Sequence, residues 1–174
     1  MRTIVTSCRL LLLSLVVSLV APLVAHGQPL TRDQLRARKL AARKYEGAVV
    51  SLPSSAFEDG LRVCARETPS GILGMWKVSP KMAGLIDGEL MVHLRKSGIA
   101  KAIPFSPKLY IRQYAGFNRD GARFVYVNAV LAEKGSKAAA KAKKAFPSSC
   151  SDISGSWGIV YDVKAKKFSN FSPK

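Results

Sequence analysis

The chain has 174 residues, with 28 Lys plus Arg against 11 Asp plus Glu, two His and three Cys, and a formal net charge of +17. That length suits one ordinary domain with enough chain to bury a core. The charge favours acidic partners but does not bear on fold, and no cysteine has a second one close by, which excludes a CxxC redox or zinc motif.

Met1-Arg2 and Arg9 precede an apolar run from Leu10 to Val24, and Ala25-His26-Gly27 places small residues at −3 and −1 of a cut before Gln28. This is the pattern of a secretory signal peptide. At 15 residues the run is short for a spanning helix, which needs about 20. Cys8 stands before the run, unlike a lipid-attachment cysteine. Removal of residues 1–27 takes Arg2 and Arg9 with it, leaving 147 residues at +15, periplasmic or secreted. Cys64 and Cys150 then remain, an even pair in an exported chain, and are expected to form one disulfide; the alternative is two separate buried thiols. In the chain-entropy view, closing that loop stabilises the fold by about 4 to 5 kcal/mol.

Residues 28–47 read as a basic N-terminal helical arm, opened by a capping box of Thr31 and Gln34. Leu35, Leu40, Ala41, Ala42 and Tyr45 give only a thin apolar stripe among Arg32, Arg36, Arg38, Lys39, Arg43 and Lys44. Such a helix has little to bury and is either a solvated arm or a surface-binding one. Residues 48–174 form a single α+β domain. Ala48 to Pro53 reads as a short strand, as does Ile72 to Val78, with Trp76 as a core anchor. Between them only a turn of helix at Ser55 to Asp59 and a strand fragment at Leu61 to Ala65 are suggested.

Ser79-Pro80 is a helix start, cap then proline at the first helical position. Met82, Leu85, Ile86, Leu90 and Leu94 follow at spacings of three and four as its apolar stripe, Arg95 points to solvent, and Gly98 stands at the C-terminal cap. His93 lies on this helix without a cysteine or carboxylate cluster at ligand spacing and is read as a surface or packed residue.

Lys108 to Leu131 reads as a hairpin. Leu109, Ile111, Gln113, Ala115 and Phe117 alternate with Tyr110, Arg112, Tyr114 and Gly116, and the turn falls in Asn118-Arg119-Asp120-Gly121. One face of it is expected to be only partly covered, with Tyr and Arg side chains paired across strands. Glu133 to Phe146 reads as a short, exposed basic helix or loop, capped by Ser136 and too poor in large apolar groups to dock. Trp157, Ile159, Tyr161 and Val163, a turn at Lys164-Ala165-Lys166, and Phe168 and Phe171 make a second hairpin. The whole is one main amphipathic helix on an antiparallel sheet of about four strands, for which a cystatin-like wrap is a fitting topology.

The segments IRQYAGF and RFVYVNA (Ile111 to Phe117, Arg123 to Ala129) and SGSWGIVYDVKAKKFSNFS (Ser154 to Ser172) resemble a family of small exported bacterial proteins whose members are uncharacterised. Its sequences show an RQY-G strand, a YIN strand and a C-terminal Asp-Gly-Gly…WGV-Y-D hairpin; here Asp152-Ile153-Ser154-Gly155-Ser156-Trp157-Gly158 alters the paired glycines. The resemblance covers the last third to half of the chain and implies kinship of fold and compartment, with no activity attached.

The usual catalytic constellations are missing: there is no GxSxG, HExxH or P-loop, and one histidine remains after cleavage. Asp152 and Asp162 near Trp157 are a conceivable carboxylate pair, which keeps a small hydrolase-like enzyme as the alternative, but both read more simply as turn residues. The favoured class is a non-catalytic envelope protein, needing no cofactor or metal. It would meet an anionic envelope surface, a polysaccharide or an acidic protein; no motif supports nucleic acid. The expected anion-contacting residues are Arg32, Arg36, Arg38, Lys39, Arg43 and Lys44 of the arm, Lys134, Lys137, Lys141, Lys143 and Lys144 of the insertion, and Arg112 beside Tyr114 of the hairpin.

Overall fold

The computed structural model describes residues 31–55, 71–147 and 155–173, apart from a few side chains of the first helix. In chain order they form α1 (Arg32–Lys44), β1 (Ala48–Ser51), β2 (Gly74–Trp76), α2 (Pro80–Lys96), β3 (Ile111–Arg119), β4 (Ala122–Val130), α3 (Lys137–Ala142), β5 (Trp157–Asp162) and β6 (Lys167–Pro173). Cys64, Cys150 and Asp152 lie outside the described residues, as does most of the chain between β1 and β2.

The centre of the fold is the β3–β4 hairpin, paired from Ile111↔Val130 to Arg119↔Ala122. Its turn is the two residues Asp120 (φ 50) and Gly121 (φ 74). Both central residues at positive φ make a type I′ turn, whose twist matches the strands it joins. β5 and β6 continue the antiparallel meander beyond β4. β1 and β2 lie end to end along the other edge of β3: β1 takes Ile111 to Tyr114 and β2 takes Gly116 to Asn118.

β1 runs parallel to β3, so the sheet is mixed and six-stranded, where four antiparallel strands were expected. The reason is connectivity. Parallel neighbours need a long crossover, usually helical, and α2 lies between β1 and β3 in the chain. The hydroxyl of Ser51 donates to the carbonyl of Val78, tying the end of β1 to the residues that lead into α2.

Cross-strand rows define the two faces of the sheet. Arg112, Ala129 and Trp157 form one row, Tyr114, Val127 and Ile159 the next, and Gly116, Val125 and Tyr161 a third. α2 covers this face with Ala83, Ile86, Leu90 and Leu94, all buried. Each large aliphatic side chain so buried contributes about 1.5–3 kcal/mol. Ser79 caps the helix by accepting from Met82 N at 3.2 Å, and Gly98 follows it at φ 75. Leu85, expected in the stripe, is instead 64% exposed. At 100° per residue it stands on the far side from Ile86, Leu90 and Leu94, and the small Ala83 takes the inward place.

The second face carries Ile111, Gln113, Ala115 and Phe117 of β3, opposite Val130, Asn128, Tyr126 and Phe124 of β4. It is covered too, and the Arg112 and Tyr114 face, expected to be only partly covered, is the one buried under α2. Leu52 and Phe146 pack on Ala115, Phe117, Tyr126 and Val160, while Ala132, Ala139 and Ala142 pack on Ile111 and Val130. The segment read as an exposed insertion is therefore half of a second layer. α3, capped by Ser136 accepting from Ala139 N at 3.1 Å, buries its alanine side and shows its lysines to solvent. A polar latch fixes it: the Gln113 amide donates to Ala142 O at 2.6 Å and Ala145 O at 2.7 Å, and Asn128 donates to Gln113 Oε1. The carbonyl of Ala142, the last residue of α3, and that of Ala145 just beyond it are thus met from inside the sheet.

Candidate functional site

α1 ends at Lys44 because the chain there turns into the sheet. Gly47 lies against the Lys108 carbonyl, where an added Cβ would stand 1.8 Å from the oxygen. The preceding residues then pair with the strand exit after β4. Tyr45 bridges Glu133, Glu46 N donates to Ala132 O at 3.1 Å, and Lys134 N donates to Lys44 O at 2.8 Å. This junction brings the C-terminal end of α1 to the segment that carries α3, nearly a hundred residues away in sequence.

Two ion pairs cross it. Lys44 Nζ lies 2.8 Å from Glu133 Oε1, and Lys143 Nζ lies 2.5 Å from Glu46 Oε1. The hydrogen bond to Glu133, then its charge, raises the Lys44 ammonium above its ordinary pKa. The bond from Lys143 lowers the Glu46 carboxyl. Both pairs are open to water, where the solvent screens such contacts and leaves them little net strength, so they orient the junction more than they hold it. Tyr45 adds an apolar anchor, its ring 5.0 Å from that of Phe105.

Arg32, Arg36, Lys39 and Arg43 are exposed on α1. Arg36 has only a 4.0 Å approach to Asp33, both side chains being mostly in solvent. Arg38 falls on the same helix. Lys134 precedes α3, Lys137 and Lys141 stand on it, and Lys143 and Lys144 follow it, all exposed. Glu46 and Glu133, the counter-charges, were not singled out by sequence reasoning. The Glu46–Lys143 separation leaves no local spacing that would reveal it.

Arg112 is elsewhere. It is 6% exposed, on the α2 face of the sheet. Its Nε donates to Asp87 Oδ1 at 2.5 Å and Nη2 to Oδ2 at 3.2 Å, while Nη1 donates to Pro107 O at 2.9 Å and Tyr110 O at 2.8 Å. Tyr114 OH donates to the same Asp87 Oδ1 at 2.6 Å. Burial, and then the Asp87 charge, push the Tyr114 phenol well above its ordinary pKa. A buried ion pair is tolerable only when its remaining donors and acceptors are satisfied, and here they are. This cluster staples α2 to β3, and the Arg112 guanidinium is already taken up by it.

Asp162 is a turn residue: its Oδ1 accepts from Lys164 N and Ala165 N, each at 2.8 Å. Among the described residues, no three His, Cys, Asp or Glu side chains come together in a metal-holding group, and no helix is long and apolar enough to cross a membrane. No protein-family model, curated protein or solved structure matches the chain.

Proposed function

We propose that this is an exported, non-catalytic binding protein of the bacterial cell envelope, released by cleavage after Gly27, which meets an anionic surface through α1, as a basic arm, and the lysines around α3. The observation that carries the reading is the Tyr45–Glu133 junction. It ties the Lys44 end of one cluster to the segment that carries the other, and charges that act on one surface together reinforce attraction and steering. α1 also shows Leu35 and Leu40 to solvent, apolar groups that suit a basic helix lying at a lipid or polysaccharide boundary. Arg112 is left out of the contact set, because its donors are spent on Asp87 and two carbonyls.

The test is co-sedimentation with anionic and neutral vesicles across a salt series. The Debye length shrinks from about 30 Å at 0.01 M to about 10 Å at 0.1 M, so retention on anionic vesicles should fall steeply over that range and be weak on neutral ones throughout. Replacing Lys137, Lys141, Lys143 and Lys144 together by Gln should weaken retention and leave the fold intact, since these side chains are exposed. Equal retention on both vesicle types would overturn the reading.

A further inference from the structure

A second, chemically different site lies on the α2 face, away from the basic junction. Glu89, Val92 and His93 of α2 face Lys166 of the β5–β6 turn and Lys167 and Phe168 of β6 across an open cleft of about 510 Å³. That volume lies within the range of small-ligand sites. The walls are ordered by contacts that run from the core outward. Tyr161, in the sheet, packs its ring 4.8 Å from that of Phe168, and Phe168 in turn lies 5.0 Å from the His93 ring, tilted by 30°. The Tyr161 hydroxyl donates to Glu89 Oε2 at 2.7 Å. Burial and Glu89 push that phenol up to about 12, so the donor is in place at any ordinary pH. One carboxylate oxygen is thereby held and Oε1 is left for another donor.

The turn is equally fixed. Asp162 holds Lys164 N and Ala165 N, and Lys166 follows with φ 52 at the entry to β6. Among the described residues, Lys166 and Lys167 form no ion pair. The cleft thus offers two uncommitted ammonium groups, one oriented carboxylate acceptor, an imidazole and an apolar wall of Phe168 and Val92. A simple inorganic anion would use the lysines and waste the rest, and Glu89 would repel it. An apolar ligand would leave Glu89 unmet.

We infer that this cleft binds an anionic sugar, a hydroxyl-bearing ring with one carboxylate or phosphate group. The acid group meets Lys166 and Lys167, a ring hydroxyl donates to Glu89, and the C–H face of the ring lies on Phe168 and Val92. The site does not depend on the surface-binding role of the junction, since it shares no residue with it.

His93 gives a direct readout, because the full chain has only two histidines and His26→Gln identifies the signal of the other. The experiment follows the imidazole resonances of the full chain during titration with D-glucuronate, D-glucose 6-phosphate, D-glucose and inorganic phosphate. Saturable shifts of His93 with glucuronate or glucose 6-phosphate are expected, and which of the two binds tighter tells carboxylate from phosphate as the natural acid group. Glucose and inorganic phosphate should shift it little. Lys166→Gln with Lys167→Gln should weaken binding by about tenfold or more, as loss of charge-assisted contacts does, and leave vesicle retention unchanged. Glu89→Gln should reduce the preference for the sugar over inorganic phosphate. Inorganic phosphate shifting His93 as strongly as the sugars, or a double lysine variant that binds them equally well, would overturn the assignment. The quadruple Gln variant of the α3 lysines should keep the sugar site whatever it does to vesicle binding, so the two proposals fail separately.

Discussion

Gly116 and Gly158 are points where one added methyl group meets the core head-on. A Cβ at Gly116 would stand 2.3 Å from the Trp76 ring and 2.6 Å from its carbonyl oxygen, and one at Gly158 would stand 2.2 Å from the Tyr126 hydroxyl. The Gly116 collision is the worse, because the Trp76 carbonyl belongs to the backbone of β2 and moves only with the strand. Trp76 is also held from both sides, by Arg123 3.9 Å above its ring and by its indole N–H on Phe117 O at 3.1 Å. Gly116→Ala should therefore cost about 1–3 kcal/mol of stability. Gly84 on α2 has nothing within 4 Å of such a Cβ, and Gly84→Ala should stabilise by about 0.5–1 kcal/mol through helix propensity. Chemical denaturation of both variants checks the opposite signs. The tyrosines set a pH limit. Tyr110 and Tyr161 are raised from 10.0 to about 12, burial being the main cause for each, and Tyr114 is raised too. The unfolded chain releases these protons first, so their contribution is whole below pH 10 and is lost as pH rises toward 12. Unfolding midpoints should fall across that window, and less so in Tyr161→Phe.

At the scale of elements, what could be read beforehand was whatever repeats locally. The hairpin of β3 and β4 was legible from two-residue alternation around a turn in Asn118-Arg119-Asp120-Gly121, of which only the last two residues turn, and α2 from Ser79-Pro80 at one end and Gly98 at the other. Of its stripe, Ile86, Leu90 and Leu94 are buried and Leu85 alone faces out, since counting only large residues passes over Ala83. The same oversight hides the packing of α3, though its helix and its Ser136 cap are legible. Ala139, Ala142 and Phe146 recur at spacings of three and four and all are buried, but alanines in a lysine-rich run read as helix propensity and not as packing. The site was legible only as composition. Which cations meet, and that Arg112 turns inward, depend on pairings such as Glu46–Lys143 and Asp87–Arg112 that cross the whole domain. Leu90→Ala should cost about 2–5 kcal/mol and Leu85→Ala no more than about 0.5 kcal/mol. Equal losses in thermal melts would mean that α2 packs by another face.

On the scale of the whole molecule, the sheet is built from two kinds of pairing. β3 to β6 are joined to their neighbours in the order of the chain, whereas β1 must find β3 from beyond α2. Closing a long loop before any contact rewards it costs entropy, so local pairings come first. The meander from β3 onward is then the expected folding nucleus, with α2 condensing on it and β1 docking on its open edge afterwards. Val50 and Val127 separate the two stages. Val127 is fully buried at the centre of the meander, and Val50 packs from β1 against the second face. In stopped-flow measurements Val127→Ala should slow folding, whereas Val50→Ala should mainly hasten unfolding. The late strand is also the one that follows α1 directly. Because Tyr45 bridges Glu133, and Glu46 N and Lys134 N donate to Ala132 O and Lys44 O, an opening of Ala48–Ser51 that spares the meander would leave the end of α1 tethered to the strand exit after β4, so this tether and not β1 sets how long the two segments stay together.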